Sequence, residues 1–424
     1  MQQLSIEQQA VIKSLEEGRN ILVTGGAGTG KSFILNFIKK KYSGIGLEVT
    51  ASTGIASVNI GGSTIYSWAG IGLGNLPAPQ IIDNLFSARG SKARSRIKRT
   101  KILAIDEISM ISANLLELLD LIFKTVRNSN LPMGGMQILL FGDFLQLPPV
   151  NKSGEEVNFC FSSSIWKELN LSNIVLKQIF RQKDMKFIKI LNNLRVGKID
   201  DEDKDVLKSR IQSDEKNNDI IRPTILTTHN HKAELINNEE MSKIKSPKQL
   251  YQAVYEGAID KIEYLRKNCL AQDNLSLKIN AQVMMIKNTY QKDGIINGSL
   301  GIIRDFSVKK NYPIVEFING NLLTISPEEW LVERFDELKQ EMIIEAKMTQ
   351  IPLIPSWAIT IHKSQGLTLD KIHCDLSDIF TAGQAYVALS RARNIDNVFI
   401  KAINFNKIYA NKSVIDFYRD IDEI

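Results

Sequence analysis

The sequence predicts an α/β fold built on parallel β-sheets, and three observations carry that prediction. Short apolar runs recur ahead of turn or helix signals, at 20–24 (NILVT), 45–50 (IGLEVT), 101–106 (KILAID), 137–142 (QILLFG), 224–228 (TILTT) and 397–402 (NVFIKA). Strands alternating with helices are the pattern of βαβ units. The first run feeds a Gly-rich turn and then a helix predicted from Lys31 to about Tyr42. Finally, 424 residues are enough for two or three domains.

Each remaining stretch finds a place around that core. Residues 109–127 space Leu115, Leu116, Leu119, Ile122, Phe123 and Val126 at helical intervals, the apolar face of an amphipathic helix. Two stretches break the alternation. Residues 71–101 hold a Gly/Pro-rich turn and then seven Lys or Arg between Arg89 and Lys101 with no acidic residue, read on composition as a solvated basic loop. Residues 281–330 hold short β-like runs (QVMMIK, GSLGIIRDF, PIVEF, LLTI) separated by Asn, Gly, Lys and Pro, as in a small antiparallel barrel.

Composition removes several classes. With 43% hydrophobic and 24% charged residues, Gly 26 and Pro 11, the chain is neither collagenous, coiled-coil nor wholly disordered. No apolar run approaches the roughly 18 residues of a membrane span, and MQQLSIEQQAV has no signal-peptide pattern. A soluble, intracellular protein without a membrane partner is expected. Three scattered cysteines (Cys160, Cys269, Cys374) argue against a disulfide framework, and four histidines without a Cys-x-x-Cys pair argue against structural zinc. A metal reading of His229 and His231 in TTHNH competes with an ordinary loop. The net charge of +6 is compatible with a polyanionic partner.

The motifs carry the chemistry. Gly25-Gly26-Ala27-Gly28-Thr29-Gly30-Lys31-Ser32 fits G-x-x-x-x-G-K-[ST] between a strand and a helix. Its glycines let backbone N–H groups wrap phosphates, Lys31 suits the β/γ-phosphates of ATP, and the Ser32 hydroxyl suits Mg²⁺. Asp106 and Glu107 end an apolar run. In a P-loop fold this strand end is expected beside the first, with Asp106 holding the Mg²⁺ shell and Glu107 orienting the attacking water. Asp143 and Gln146 leave another strand at the carboxyl edge, where Gln146 either senses the γ-phosphate or is merely solvated.

At this point the chain resembles superfamily 1 helicases of the petite-integration-frequency (PIF) family, near the RecD and Dda branch. The resemblance rests on Leu4-Ser5-Ile6-Glu7-Gln8, Ala51-Ser-Thr53-Gly54-Ile-Ala56, DEISM at 106–110 and GDFLQLPPV at 142–150. Phe180-Arg181-Gln182, Trp357 to Asp370 (WAITIHKSQGLTLD), Tyr386 to Arg393 (YVALSRAR) and a signature helix from Ser109 to about Arg127 complete it.

That resemblance implies two RecA-like P-loop domains with ATP in the cleft between them. They would be residues 1–175, with a wedge insertion at about 70–101, and 176–424, with a small Src-homology-type β-barrel insertion at about 290–350. It also implies that Gln8 reads adenine, Gly366 lies at the nucleotide, and Arg181 and Arg391 act as arginine fingers on the γ-phosphate. Single-stranded DNA would meet Thr53, Gly54, Tyr66, Trp68, His362, Lys363, Ser364 and Gln365. The incoming duplex would meet Arg94, Arg96 and Lys98. Trp68, Tyr66 and His362 also admit plain core packing. The family usually has His where this chain has Tyr66.

The implied activity is an ATP- and Mg²⁺-dependent 5′-to-3′ DNA helicase acting at single/double-strand junctions in repair, recombination or replication. G-quadruplex DNA and RNA–DNA hybrids are implied as further substrates, and a monomer is expected when the protein is free. A translocase without processive unwinding, a nucleotide-gated binding module and an RNA substrate stay open on residues alone. The setting expected is a bacterial, archaeal or phage-infected cytoplasm.

Overall fold

The computed structural model describes residues 4–421 apart from Leu73, Asn75, Arg89, 150–156, 212–220, 337–340 and Asp378, and the side chains of 334–336 and 341–342. Arg89, the first cation of the basic run, and Val150, the end of GDFLQLPPV, therefore lie outside the described residues. Two compact units form, one from Met1–Phe180, Val332–Glu345 and Asn411–Ile424, the other from Arg181–Leu331 and Ala346–Ala410.

The first unit is organised by a six-stranded parallel sheet. Its strands are β1 (Ile21–Thr24), β2 (Leu47–Ala51), β3 (Ser63–Thr64), β4 (Ile102–Asp106), β5 (Gln137–Phe141) and β6 (Ser172–Val175), in the order β3-β2-β4-β5-β1-β6. β1 and β4 are buried along their whole length, which is why they read as unbroken apolar runs rather than alternating ones. The helices Ile6–Glu16 and Lys31–Lys41 set Val11, Leu15, Ile34 and Ile38 against Ile21, Val23, Leu139 and Phe141. Each such side chain contributes about 1.5–3 kcal/mol on burial.

The order corrects one expectation. β4, which ends in Asp106, is not beside β1; β5 lies between them, paired Ile21↔Leu139 on one side and Ile102↔Gln137 on the other. The connection from β4 runs through the helix Ala113–Arg127 and returns to fill the gap. Asp143, just past β5, is thus the carboxylate on the strand next to the Gly-rich turn.

The basic run also differs from its reading as a loop. It is the helix Ser91–Arg99, following the helix Ala78–Phe86, and Ile81, Leu85, Ala93 and Ile97 are buried between them and the unit. A run of cations on the outer face masked two apolar positions on the inner one. Arg127 fixes its end, donating through Nη1 to the carbonyls of Ile97 (2.8 Å), Lys98 (3.0 Å) and Thr100 (2.8 Å).

The helix Lys412–Asp420 packs in the first unit rather than with the 176–424 segment expected to hold it. Val414 and Tyr418 are buried there, and Phe417 stacks on Phe161 with centroids 4.6 Å apart.

The second unit has its own parallel sheet, Ala358–Thr360, Thr224–Thr227, Ile372–Leu376 and Val398–Ile403 in that order. Its antiparallel insertion is larger than the 290–350 expected. Five strands, Leu322–Thr324, Pro313–Phe317, Leu300–Phe306, Gln282–Met285 and Leu353–Pro355, wrap a core of Val283, Met285, Ile303, Val315, Phe317 and Leu353. The pair Gln249–Gln252 and Asn274–Leu277 adds Leu275 and Leu277 to that core.

Two glycines of this insertion separate backbone strain from crowding. Gly298 (φ +103°) has no room for a Cβ, which would collide with the Thr368 carbonyl, whereas Gly320 (φ +85°) faces open space. Gly298→Ala is expected to destabilise by about 3 kcal/mol or more and Gly320→Ala by about 1 kcal/mol, measured as urea midpoints of the second unit.

Candidate functional site

In the first unit the chemistry gathers at the carboxyl ends of β1, β5 and β4. The turn 25–30 uses left-handed glycines at Gly28 (φ +79°) and Gly30 (φ +90°), with Gly25 at φ +138°. A Cβ at Gly25 would collide with the Leu176 carbonyl, and one at Gly30 would stand 2.8 Å from Gln8 Nε2. Thr29 Oγ1 closes the turn on Gly26 O at 2.9 Å. Lys31 Nζ donates to Gly25 O (2.6 Å) and Gly26 O (2.9 Å), so the cation lies along the turn where a polyphosphate would be met. Ala27 is buried, while Ser32 is exposed in the first turn of the helix.

Gln8 is buried at the rim of this turn. Its Oε1 accepts from Ser5 N (3.2 Å) and its backbone N–H donates to Ser5 Oγ (3.2 Å), a reciprocal cap on the helix Ile6–Glu16. Beside it is a residue that sequence reasoning quoted only as part of a motif. Phe180 donates its N–H to Gly28 O at 2.9 Å, and its ring, 51% exposed, lies about the Gly30 position. Nothing in the sequence distinguishes that aromatic from a core residue.

Asp106 is buried and accepts from Glu107 N at Oδ1 (2.9 Å). Burial, then the neighbouring Glu107 charge, push its carboxyl well above the usual carboxylate range, against the opposing pull of the Glu107 N–H and the Lys31 ammonium. Glu107 itself takes a left-handed conformation (φ 54°, ψ 48°), unusual for a side chain of this kind, and Ser52 Oγ donates to its carbonyl at 2.7 Å. A carboxylate disfavoured by burial, Asp106, and the exposed Ser32 hydroxyl are oxygen donors of the kind Mg²⁺ takes, an ion that binds few protein ligands and keeps waters or phosphate oxygens. Among the described residues no group of three or more His, Cys, Asp or Glu could hold a metal by itself.

Asp143 and Gln146 are both buried, and Gln146 Nε2 donates to Asp143 Oδ2 at 3.3 Å. Leu145 N (3.2 Å) and the Tyr418 hydroxyl (3.1 Å) donate to Asp143 Oδ1.

In the second unit, two guanidinium groups are set close together. Arg391 is buried, with Nε donating to Val387 O (2.8 Å), Nη2 to Ser390 Oγ (3.0 Å) and Nη1 to Ser364 O (3.4 Å). Arg181 Nη1 donates to Ser390 O at 3.1 Å. Burial, then repulsion from Arg391 and Arg393, bring the Arg181 guanidinium down to about 9, so it stays cationic at neutral pH. A surface ion pair, the other reading of Arg391, does not fit its burial.

The strand-contact candidates divide. Thr53 caps the helix Gly54–Asn59 by accepting from Ala56 N (3.3 Å), and Gly54 is partly exposed. Tyr66 is half-buried, and desolvation raises its phenol. His362, Lys363 and Gln365 are partly exposed in the turn after Ala358–Thr360, with His362 lowered by desolvation, and Gly366 (φ +81°) is open to solvent. Arg94 rests on the Phe86 ring at 5.3 Å, and Lys98 is exposed.

Three candidates are corrected. Trp68 is 2% exposed and meets Phe123 edge-on at 5.6 Å, so it is a core side chain with no face for a base. Ser364 is buried and donates to Ile361 O at 2.8 Å, bracing its turn. Arg96 donates Nε to Trp68 O (3.0 Å) and Nη2 to Ser67 O (3.0 Å), capping the helix Ile65–Ala69 rather than facing outward. Trp68→Ala is therefore expected to cost about 3–5 kcal/mol of first-unit stability in urea unfolding, while Trp68→Phe leaves single-strand affinity within about twofold.

Comparison with known proteins places the chain in a family. Residues 3–205 match the PIF1-like helicase family, and residues 262–306 match the 2B domain of DNA helicase Pif1. The ATP-dependent DNA helicase PIF1 of Danio rerio is 38% identical over 99% of this chain. Pif1 of Bacteroides sp in complex with ADP-AlF4 superposes with a TM-score of 0.86 at 31% identity, covering 100% of this chain and 98% of that one. Bacteroides Pif1 in complex with ADP-AlF3 and single-stranded DNA matches at 0.66 and 31%, covering 99% and 97%. The chain spans 64% of the Danio rerio protein, and 65% and 63% of the PIF1 helicases of Xenopus laevis and Homo sapiens. These eukaryotic relatives overturn the expected bacterial, archaeal or phage-infected setting. With its motifs in order from Gln8 to Arg393 and its folded units matched across nearly all of their length, the chain belongs to the PIF1-like helicase family.

Proposed function

We propose that the chain is the ATP-hydrolysing core of a DNA helicase that moves 5′ to 3′ along a single strand and opens duplexes ahead of it. The observation that carries this reading is the convergence of Lys31, Asp106, Glu107 and the Asp143–Gln146 pair at one carboxyl edge. Phosphoryl transfer to water needs little else from a protein but charge, position and a base.

Lys31 leaves its two carbonyls for the β/γ-phosphates, and the ring of Phe180 with the amide of Gln8 offers a face and a donor to the adenine. Ser32 and Asp106 would hold Mg²⁺, which supplies positive charge to the phosphate oxygens. Glu107 accepts a proton from the attacking water, and Gln146 orients that water or the γ-phosphate. As arginine fingers, Arg181 and Arg391 would supply positive charge that offsets the negative charge developing on the γ-phosphate in the transition state. Arginines in this role contribute roughly 10³–10⁵ in rate.

For the strand, Thr53, Gly54, Tyr66, His362, Lys363 and Gln365 are proposed as contacts, and Arg94 and Lys98 as contacts to the duplex. Single-strand grip combines cations with flat faces, and Tyr66 keeps a π-face where the family usually has His. Phosphate contacts and stacking do not depend on pairing partner, which extends the proposed substrates to G-quadruplex DNA and RNA–DNA hybrids. The protein is proposed to act as a monomer when free.

Duplexes with a 5′ tail or a 3′ tail test this directly. Opening of only the 5′-tailed duplex, and only with hydrolysable ATP, is expected. DNA-stimulated turnover with neither duplex opened would instead favour a translocase that does not unwind. Glu107→Gln should lower turnover by about 10²–10⁴ while ATP affinity stays within a few fold, read by single-turnover phosphate release and by nucleotide titration. Reversing charge at Arg94 and Lys98 should weaken junction binding and flatten its dependence on salt between roughly 50 and 200 mM.

A further inference from the structure

A hydroxyl from the distant helix Lys412–Asp420 sits in the polar edge of the first unit. Tyr418 is fully buried and its oxygen meets three groups: Thr24 Oγ1 at 2.8 Å, Phe144 N at 3.0 Å and Asp143 Oδ1 at 3.1 Å. Thr24 is the residue before Gly25, at the end of β1, and Asp143 follows β5. A phenol has one proton and two lone pairs. The carboxylate takes the proton, so Phe144 N–H and the Thr24 hydroxyl donate into the lone pairs, and the directions of all three bonds are set.

The ring is held as firmly as the oxygen. Phe144 meets Phe159, Phe161, Trp166 and Phe417 edge-on, with centroids 5.0–6.2 Å apart, and Phe417 lies 5.4 Å from the Tyr418 ring. Six aromatics from three separate stretches of chain thus pack together there, while the three hydrogen bonds set where the hydroxyl points. From there one bond leads on, because Asp143 Oδ2 accepts from Gln146 Nε2.

We propose that Tyr418 is a positioning residue for ATP hydrolysis. It holds Asp143 in the rotamer that orients Gln146, and ties that pair to the strand from which the Gly-rich turn springs. Tyr418 touches no nucleotide and acts only through Asp143. The inference rests on the reading of Gln146 as the residue that meets the γ-phosphate or its water.

The test is steady-state ATP hydrolysis with saturating single-stranded DNA for Tyr418→Phe, Gln146→Ala, the double variant and Phe417→Leu. Tyr418→Phe keeps the ring and removes the hydroxyl. We expect kcat to fall about tenfold with KM for ATP within about twofold, as loss of one oriented bond would give. In the Gln146→Ala background the Tyr418→Phe change should have no further effect, because the path it works through is gone. Phe417→Leu should lower the thermal midpoint but leave kcat near that of the parent protein.

Normal kcat in Tyr418→Phe, beside a slowed Gln146→Ala, would overturn the inference and leave the reading of Gln146 standing. Multiplying effects in the double variant, or a kcat loss in Phe417→Leu equal to that in Tyr418→Phe, would reduce Tyr418 to packing. Full turnover in Gln146→Ala would remove the reading of Gln146, and the proposed route with it.

Discussion

A parallel sheet covered on both faces can present polar groups at its strand ends and nowhere else, and the first unit is organised by that constraint. β1 and β4 are buried throughout, so Thr24, Asp106 and the residues after β5 carry its reactive groups out at one edge. The same constraint makes the edge expensive to build. Asp106 is a carboxylate in a place that disfavours its charge, and Glu107 takes a left-handed backbone beside it. Both costs are carried by the apolar layers of Val11, Ile34, Leu139 and their neighbours. The arrangement is stable without being relaxed, with strain and a disfavoured charge kept at one edge.

The second unit meets the opposite electrostatic problem. Two guanidinium groups are held near each other by backbone carbonyls, at Ser390, Val387 and Ser364, with their mutual repulsion only partly relieved. The second unit thus holds two like charges together, as the first holds a carboxylate where burial disfavours its charge. The burial of Arg391 also means that its direction is decided by packing rather than by diffusion of a long side chain, so little ordering entropy is left to lose.

How much could be read beforehand follows the physics of each signal. The turn 25–32 was legible because left-handed glycines, a lysine and a hydroxyl at fixed spacing have few other uses. The helix at 113–127 was legible because its apolar face repeats at the helical period. The strand order was not, since βαβ units read alike whether a crossover skips a neighbour or not, and β5 slipped between β1 and β4 unseen. Composition misled at Ser91–Arg99, where two buried positions, Ala93 and Ile97, outweigh five cations in deciding structure. Trp68, Arg96 and Ser364 share one failing: a motif fixes where a residue sits on the chain, but burial decides which way its side chain turns. Phe180 was overlooked for the converse reason, an aromatic left outside by packing that only three dimensions reveal.

The path of the chain has a consequence for biosynthesis. Thr24 and Tyr418 are 394 positions apart, and Asp143 and Tyr418 are 275 apart. At roughly 5–20 residues per second, a ribosome delivers the helix that closes the first unit about 20–80 seconds after β1 has emerged. In that interval β1 and the loop after β5 lack their shared partner, and the aromatic side chains of Phe144, Phe159 and Phe161 lack the cover of Phe417. Truncation near residue 410 would leave that exposure permanent.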